Sequence, residues 1–180
     1  MAMTTNLVLT VLAEDKPGLV ERLASIISAH SGSWVDSAMS RLGGEFAGIL
    51  KVSIPESQAE ALEAALGKLG DEGITVNFRA DKSLPREGGT RAQFELIGQD
   101  HLGIVAKISG VLARLNVNVE DLRSSVFTGS MSGEAMFKAR AEIVLPPGLA
   151  FDTLAEALEA IAGDVMVDIE LCDPSQPEPC

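Results

Sequence analysis

Two short segments share residue types and spacing that can do chemistry. The first is Glu14-Asp15-Lys16-Pro17-Gly18-Leu19-Val20, and the second is Gln99-Asp100-His101-Leu102-Gly103-Ile104-Val105. Both read Asp-x-x-Gly-(Leu/Ile)-Val, and both fall where an apolar strand pattern gives way to a helical one. A helix start exposes unpaired N–H groups and partial positive charge, an environment that suits a small carboxylate such as that of an amino acid. Gly18 and Gly103 carry no side chain, so a ligand or a neighbouring backbone can come close. Ser33 and Asn118 open the next strand of each copy and can hydrogen-bond an amino or carboxyl group. These residues, with Leu19 and Ile104, form the expected binding set. Each has a structural alternative. Asp15 and Asp100 can serve as helix caps, the glycines can ease packing of helix on sheet, and Asn118 can satisfy a turn.

Other reactive side chains are few. His30 falls in a last helical turn, where it can meet the helix dipole. His101 sits in the second loop and can meet a carboxylate or a partner. Trp34 reads as packing. Asp36 and Asp121 read as solvent-facing positions on or near strands. Cys172 and Cys180 form no CxxC and have no neighbouring His, so they read as two free thiols, with no metal site. Walker, G-x-S-x-G, H-E-x-x-H and G-x-G-x-x-G patterns are all absent. No catalytic residue and no cofactor are implied.

The elements that must position the two loops repeat. Asp15 and Asp100 stand 85 residues apart, and the same offset relates Ile27 to Leu112, Ser33 to Asn118 and Asp36 to Asp121. Ile54-Pro55 and Leu145-Pro146 stand 91 apart, so the second copy holds about six extra residues, expected in the loop from Thr128 to Gly133. In the first copy, the pattern gives a strand over 6–13 and a helix over 17–30 with Leu19, Val20, Leu23, Ile26 and Ile27 on one face. Hairpin strands follow over 33–41 and 45–54, joined at Gly43-Gly44. Ser57 and Glu60 read as a capping box opening a helix to about Leu69, ended by Gly70 and Gly73. A strand over 74–78 closes the unit. The second copy runs strand 92–97, helix 102–115, strands 117–127 and 135–145, helix 151–161 and strand 165–171, with Gly163 as the helix stop. The order is βαββαβ twice, an α+β fold of two ferredoxin-like units, each an antiparallel four-stranded sheet with two helices on one face. The expected domains are 6–79 and 92–172, with a linker over 80–91 and a disordered tail over 173–180. Arg79, Lys82, Arg86 and Arg91, set against Asp81 and Glu87, make the linker region locally basic. The open sheet faces and edges favour pairing, so homo-oligomers are expected.

Composition narrows the function classes. Fourteen Lys and Arg stand against 26 Asp and Glu, a net charge of −12 over 180 residues. Such a surface repels phosphate, and no basic block offsets it, so direct nucleic-acid binding is not expected. Apolar runs fall short of the ~18 residues of a spanning helix, and no leader is read at the start, so no membrane role and a cytoplasmic location are expected.

On the two Asp-x-x-Gly-(Leu/Ile)-Val segments and the doubled βαββαβ order, the chain resembles tandem ACT domains, from about residue 6 to 171. It is similar in particular to the glycine cleavage system transcriptional repressor group. The resemblance implies a non-catalytic regulator that binds a small ligand, commonly an amino acid and here suggestively glycine, at interfaces between units. It implies Gly18 and Ser33, then Gly103 and Asn118, as lining residues. It further implies action on a partner protein, without a DNA-binding domain of its own. The first unit departs from the second, with Lys16-Pro17 for His101-Leu102 and Ser33 for Asn118, so the second unit is the better expected site. ACT units also resemble the N-terminal part of formyltetrahydrofolate deformylases. The other readings are a ligand-free assembly module and a detached regulatory subunit of an enzyme.

Overall fold

The computed structural model describes residues 3–82, 88–130 and 133–172. The chain divides into two compact units, between residues 84 and 85. The first contains β1 (Thr4–Glu14), α1 (Leu19–Ala29), β2 (Ser33–Leu42), β3 (Glu45–Pro55), α2 (Ala59–Gly67) and β4 (Ile74–Ala80). The second contains β5 (Thr90–Gln99), α3 (Ile104–Arg114), β6 (Asn118–Thr128), β7 (Ala135–Leu145), α4 (Phe151–Ala162) and β8 (Val167–Cys172). The strand orders are β2-β3-β1-β4 and β6-β7-β5-β8, antiparallel throughout. The expected α+β, doubled βαββαβ fold is therefore present.

Period-two patterning explains each sheet. Along β1, Leu7, Leu9, Val11 and Ala13 are buried under the helices while Val8, Thr10 and Leu12 point the other way. Burying each of those leucines is worth about 1.5–3 kcal/mol. Leu23 and Ile27 of α1, with Leu62 and Leu66 of α2, complete the first core. In the second, Phe94 and Leu96 meet Ile108, Val111 and Leu112 of α3 and Leu154 and Leu158 of α4.

Several local expectations need correction. Asp15 does not cap α1, and Asp100 does not cap α3: the N-caps are Gly18 and Gly103, with no side-chain cap hydrogen bond. A left-handed glycine delays each helix past the aspartate's reach. The Ser57–Glu60 box does not form either, because Glu56–Gln58 is a 3-10 turn and α2 starts after it without a side-chain cap. The helix expected to reach Leu69 breaks at Gly67 into a 3-10 turn over Lys68–Glu72, which Gly73 ends with φ 82°. Arg79 and Arg91 belong to strands β4 and β5, and Arg91 pairs with Glu120 at 3.5 Å. Pro85, Arg86 and Glu87 of the expected linker, and the expected disordered tail at 173–180, lie outside the described residues. Cys172, expected as a free thiol, is disulfide-bonded, and Cys180 lies outside the described residues.

The hairpins behave as the repeat offsets require. Leu42 pairs with Glu45 across Gly43 (φ 62°) and Gly44 (φ 89°), a two-residue turn of the type whose positive φ values suit glycine. In the second unit, Thr128 pairs with Ala135, so the extra residues sit in this hairpin loop, closed by Gly129 N–H donating to Glu134 O at 2.8 Å. Both edge strands also slip register at the same place, between Trp34 and Asp36 and between Val119 and Asp121.

Candidate ligand-binding loops

Each loop is built by the same local device. Glycine at φ 94° (Gly18) or 92° (Gly103) turns the chain from strand to helix, a conformation that costs other residues roughly 1–2 kcal/mol. Nothing lies within 4 Å of where a Cβ would stand on either glycine. Both glycines therefore serve backbone conformation, and both leave open space in front of uncapped helix amides. Gly18 O accepts from Arg22 N–H at 2.9 Å and Gly103 O from Lys107 N–H at 3.0 Å, which opens the first helical turn.

In the first unit the loop borders a cleft of about 340 Å³ lined by Lys16, Pro17, Gly18, Leu19, Arg22 and Glu72 among others. Arg22 Nη2 donates to Glu72 Oε1 at 2.8 Å, which holds its guanidinium above the usual pKa. Lys16 Nζ meets Glu14 at 2.7 Å. Both signs of charge thus line this loop. Asp15 is held by an ion pair with Arg41 of β2, and its backbone N–H donates to Gly44 O at 2.9 Å. A cleft is thus present beside the loop of the first unit as well. Lys16, Arg22 and Glu72 were missed at the sequence level. Arg22 sits one helical turn after Gly18 and was open to notice, but Glu72 arrives only through the tertiary fold.

In the second unit, Asp100 is exposed and its backbone N–H donates to Ala135 O at 2.9 Å. His101 Nδ1 lies 3.1 Å from Gln99 O. A carbonyl only accepts, so Nδ1 carries a proton. His101 Nε2 is shielded from solvent and meets no hydrogen-bond partner among the described residues. Ile104 was expected to line a ligand, but its side chain is 2% exposed and packs in the core. Helical periodicity puts it on the sheet-facing side with Ile108, Val111 and Leu112, so only its backbone N–H faces the loop. Its counterpart Leu19 is half-buried and lines the first cleft.

Ser33 and Asn118 do not join their loops within a unit. Asn118 pairs with Val144, which pairs with Arg91 near the start of β5, whereas Gly103 follows the end of β5. From Arg91 to Gln99 the strand spans about 27 Å at a rise of ~3.4 Å per residue. Ser33 pairs with Ser53, which pairs with Asn6, so it too lies at the far end of its unit from Gly18. Helix α3 runs back along the sheet between the two positions, and sequence proximity hides this. Asp121 pairs with Arg123 at 3.2 Å on its own strand, while Asp36 is exposed opposite Lys51. His30 Nδ1 lies 2.8 Å from Ile26 O at the end of α1, away from the loop. Among the described residues no cluster of His, Cys, Asp or Glu could hold a metal ion, and no helix is long and apolar enough to cross a membrane.

A family model described as ACT domain matches residues 5–79 and again 92–170. Among curated proteins, a UPF0237 protein of Methanococcus maripaludis is 35% identical over 77 residues, covering 41% of this chain and 86% of its own length. A UPF0237 protein of Methanopyrus kandleri is 37% identical over 81 residues, covering 45% and 89%. Among solved structures, an unknown protein from Galdieria sulphuraria aligns with TM-score 0.81 at 26% identity, covering 95% of this chain and 99% of that one. A structure described as a candidate glycine cleavage system transcriptional repressor aligns with TM-score 0.69 at 18% identity, over 95% and 99%, which speaks to fold alone.

Proposed function

The chain belongs to the ACT-domain family, and on that premise we propose that it is a non-catalytic regulator that senses a free amino acid at its strand-to-helix loops. The observation that carries this reading is the pair of uncapped helix starts at Gly18 and Gly103, each with open space before it. The ligand's carboxylate accepts from the first free amides of α1 or α3. In the second unit, the exposed Asp100 carboxylate accepts from the ligand's ammonium group. In the first, Lys16, Arg22 and Glu72 supply charges of both signs for the same zwitterion. Ser33 and Asn118 contribute only where a second ACT unit brings its far end to a loop. Bound ligand changes the affinity for a regulatory protein partner by favouring the packing it binds best. The resemblance of the two Asp-x-x-Gly-(Leu/Ile)-Val segments to the glycine cleavage repressor group supports a transcriptional setting for that partner. The net charge of −12 supports action through protein rather than DNA.

The test is a thermal-shift screen of the full chain against the twenty amino acids. A ligand at one hundred times its Kd stabilises by ~2.7 kcal/mol. Gly103→Asn keeps the left-handed backbone accessible and fills the space before α3. Loss of the shift in this variant or in Gly18→Asn supports the loops, and no shift from any amino acid refutes the reading. A second reading, association without a ligand, draws on the exposed Leu12 and Ile49 on the open face of the first sheet. It predicts a concentration-dependent sedimentation coefficient that no amino acid alters.

A further inference from the structure

The first sheet turns one face away from its helices, and the register of its strands fixes which side chains share that face. One row of partners crosses all four strands: Asp36 of β2, Lys51 of β3, Val8 of β1 and Arg79 of β4. Lys51 is held by Asp81. Asp36 and Arg79 stand at the two edges of the row. Both are exposed, and neither side chain meets an ion-pair partner among the described residues. The next row on this face is Ala38, Ile49, Thr10 and Asn77, and the one after it is Ser40, Ala47, Leu12 and Thr75. Those two rows carry no charge, and Leu12 and Ile49 are 50% and 54% exposed.

A two-fold axis turns these rows into a match. Let the axis run parallel to the strands, midway between β3 and β1, the inner pair of the order β2-β3-β1-β4. It sets β2 of one copy over β4 of the other, and β3 over β1, while each row faces itself. Asp36 then stands over the partner's Arg79 at both edges. At the centre, Leu12 lies over Ala47 and Ile49 over Thr10, large over small. Sheets stack ~10 Å apart, which an arginine and an aspartate side chain span together.

The repeat supplies a control. The matching row of the second sheet is Asp121, Glu142, Gln93 and Cys172. The same rotation brings Asp121 over Cys172, with no ion pair gained, and Glu142 takes the place of Lys51. Asp121 is already engaged by Arg123, and Glu95 by Lys138 and Arg140. Covering that face would strip water from charges at its centre. Self-complementary charge around an apolar centre is therefore a property of the first sheet alone.

We propose that the open face of the first sheet binds the same face of a second copy of this chain, as a two-fold sheet-on-sheet dimer with an Asp36–Arg79 ion pair at each edge. Four strands ~4.8 Å apart, each presenting about seven residues, offer about 450 Å² per copy. That area lies at the low end for a specific contact, so the dimer is weak and reversible. It needs no ligand at the loops, so its failure leaves the sensing reading standing.

Sedimentation equilibrium of the full chain over a range of concentrations tests it. The unaltered protein passes reversibly from monomer to dimer. Asp36→Arg sets arginine over arginine, and Arg79→Asp sets aspartate over aspartate, each twice through the two-fold. Either change raises the dimer Kd roughly tenfold or more. Mixed in equal amounts, the two variants complement each other and associate as tightly as the unaltered protein, and the double variant does so alone. Leu12→Asp disperses the dimer, whereas Ile97→Asp, at the same repeat offset on the second sheet, leaves it intact. Circular dichroism verifies the fold of each variant. A protein that stays monomeric up to millimolar concentration overturns the proposal. So does a dimer that neither charge reversal weakens, a mixture no tighter than its components, or a dimer that survives Leu12→Asp.

Discussion

The two units share a topology and differ in what their surfaces are made of. On the open face of the first sheet, Val8, Thr10, Ala38 and Ile49 leave a stretch with little charge, and Lys51 is engaged with Asp81 at its border. On the open face of the second, Glu95 meets Lys138 at 3.6 Å and Arg140 at 3.5 Å, and Arg140 Nη2 also donates to Gln93 Oε1 at 2.9 Å. Beneath the helices the contrast reverses. In the first unit Trp34 and Met39 of β2 pack against the core, and in the second an apolar space of about 40 Å³ remains between α3 and β6. Duplicated topology thus constrains the cores, where volume and patterning must agree, and leaves edge strands and open faces free to diverge. Function is expected where the copies differ, because shared packing needs no difference.

Substitutions made in pairs, one per unit, can break or sharpen this comparison. The largest effect is expected in the cores. Leu62→Ala and Leu154→Ala each remove a side chain with 0% exposure, and each costs about 2–5 kcal/mol in chemical denaturation. Unequal costs would show that the cores are not equivalent. Next comes the aromatic residue of β2. Trp34→Val costs about 1–3 kcal/mol, less than truncating a fully buried aromatic residue, because Trp34 is half-buried. Val119→Trp, by contrast, crowds an indole into a space of about 40 Å³ and costs about 1–3 kcal/mol through overpacking. No loss in Val119→Trp would show that the space beside α3 is wider than its cavity volume.

Smaller effects follow at the loops. Gly18→Ala and Gly103→Ala each cost roughly 1–2 kcal/mol through backbone strain at positive φ, with no steric contribution. A much larger loss at one site, measured by thermal melts, would show a close contact at that glycine. The smallest effect separates the two aspartates. Arg41→Ala removes an ion pair with the Asp15 carboxylate whose arginine is mostly exposed, worth about 0–1 kcal/mol and reduced by salt. The second unit has Val126 in the matching strand position, so Val126→Ala shows no salt dependence.

Much of the fold was legible because periodicity is local. β7 falls on Ala135–Leu145 and β2 starts at Ser33 as the alternation requires. Helix starts were misread for a physical reason. Asp15 and Asp100 have good capping chemistry, but the left-handed glycine three residues on moves the first free amides away from them. The Ser57–Glu60 pattern likewise lost to a 3-10 turn that satisfies the chain before α2 begins. At the site, the loop glycines were legible from their repeat, while Arg22 and Glu72 were not. The space between α3 and β6 had a signal in the sequence, since Trp34 and Val119 stand at the repeat offset, but a difference in side-chain size acquires meaning only once the surrounding walls are known.

Sequence alone determined the two units, their strand and helix order, the extra hairpin residues and the paired glycine loops, because each depends on contacts or dihedral preferences within a few residues. Only the tertiary structure decided that Asn118 lies at the far end of the unit from Gly103. It also decided that Ile104 is core, that Asp15 answers to Arg41, and that an apolar space remains between α3 and β6. Those outcomes depend on which strands lie side by side and how much volume remains between them. Strand order and packing volume are properties of the assembled sheet, and no single segment carries them.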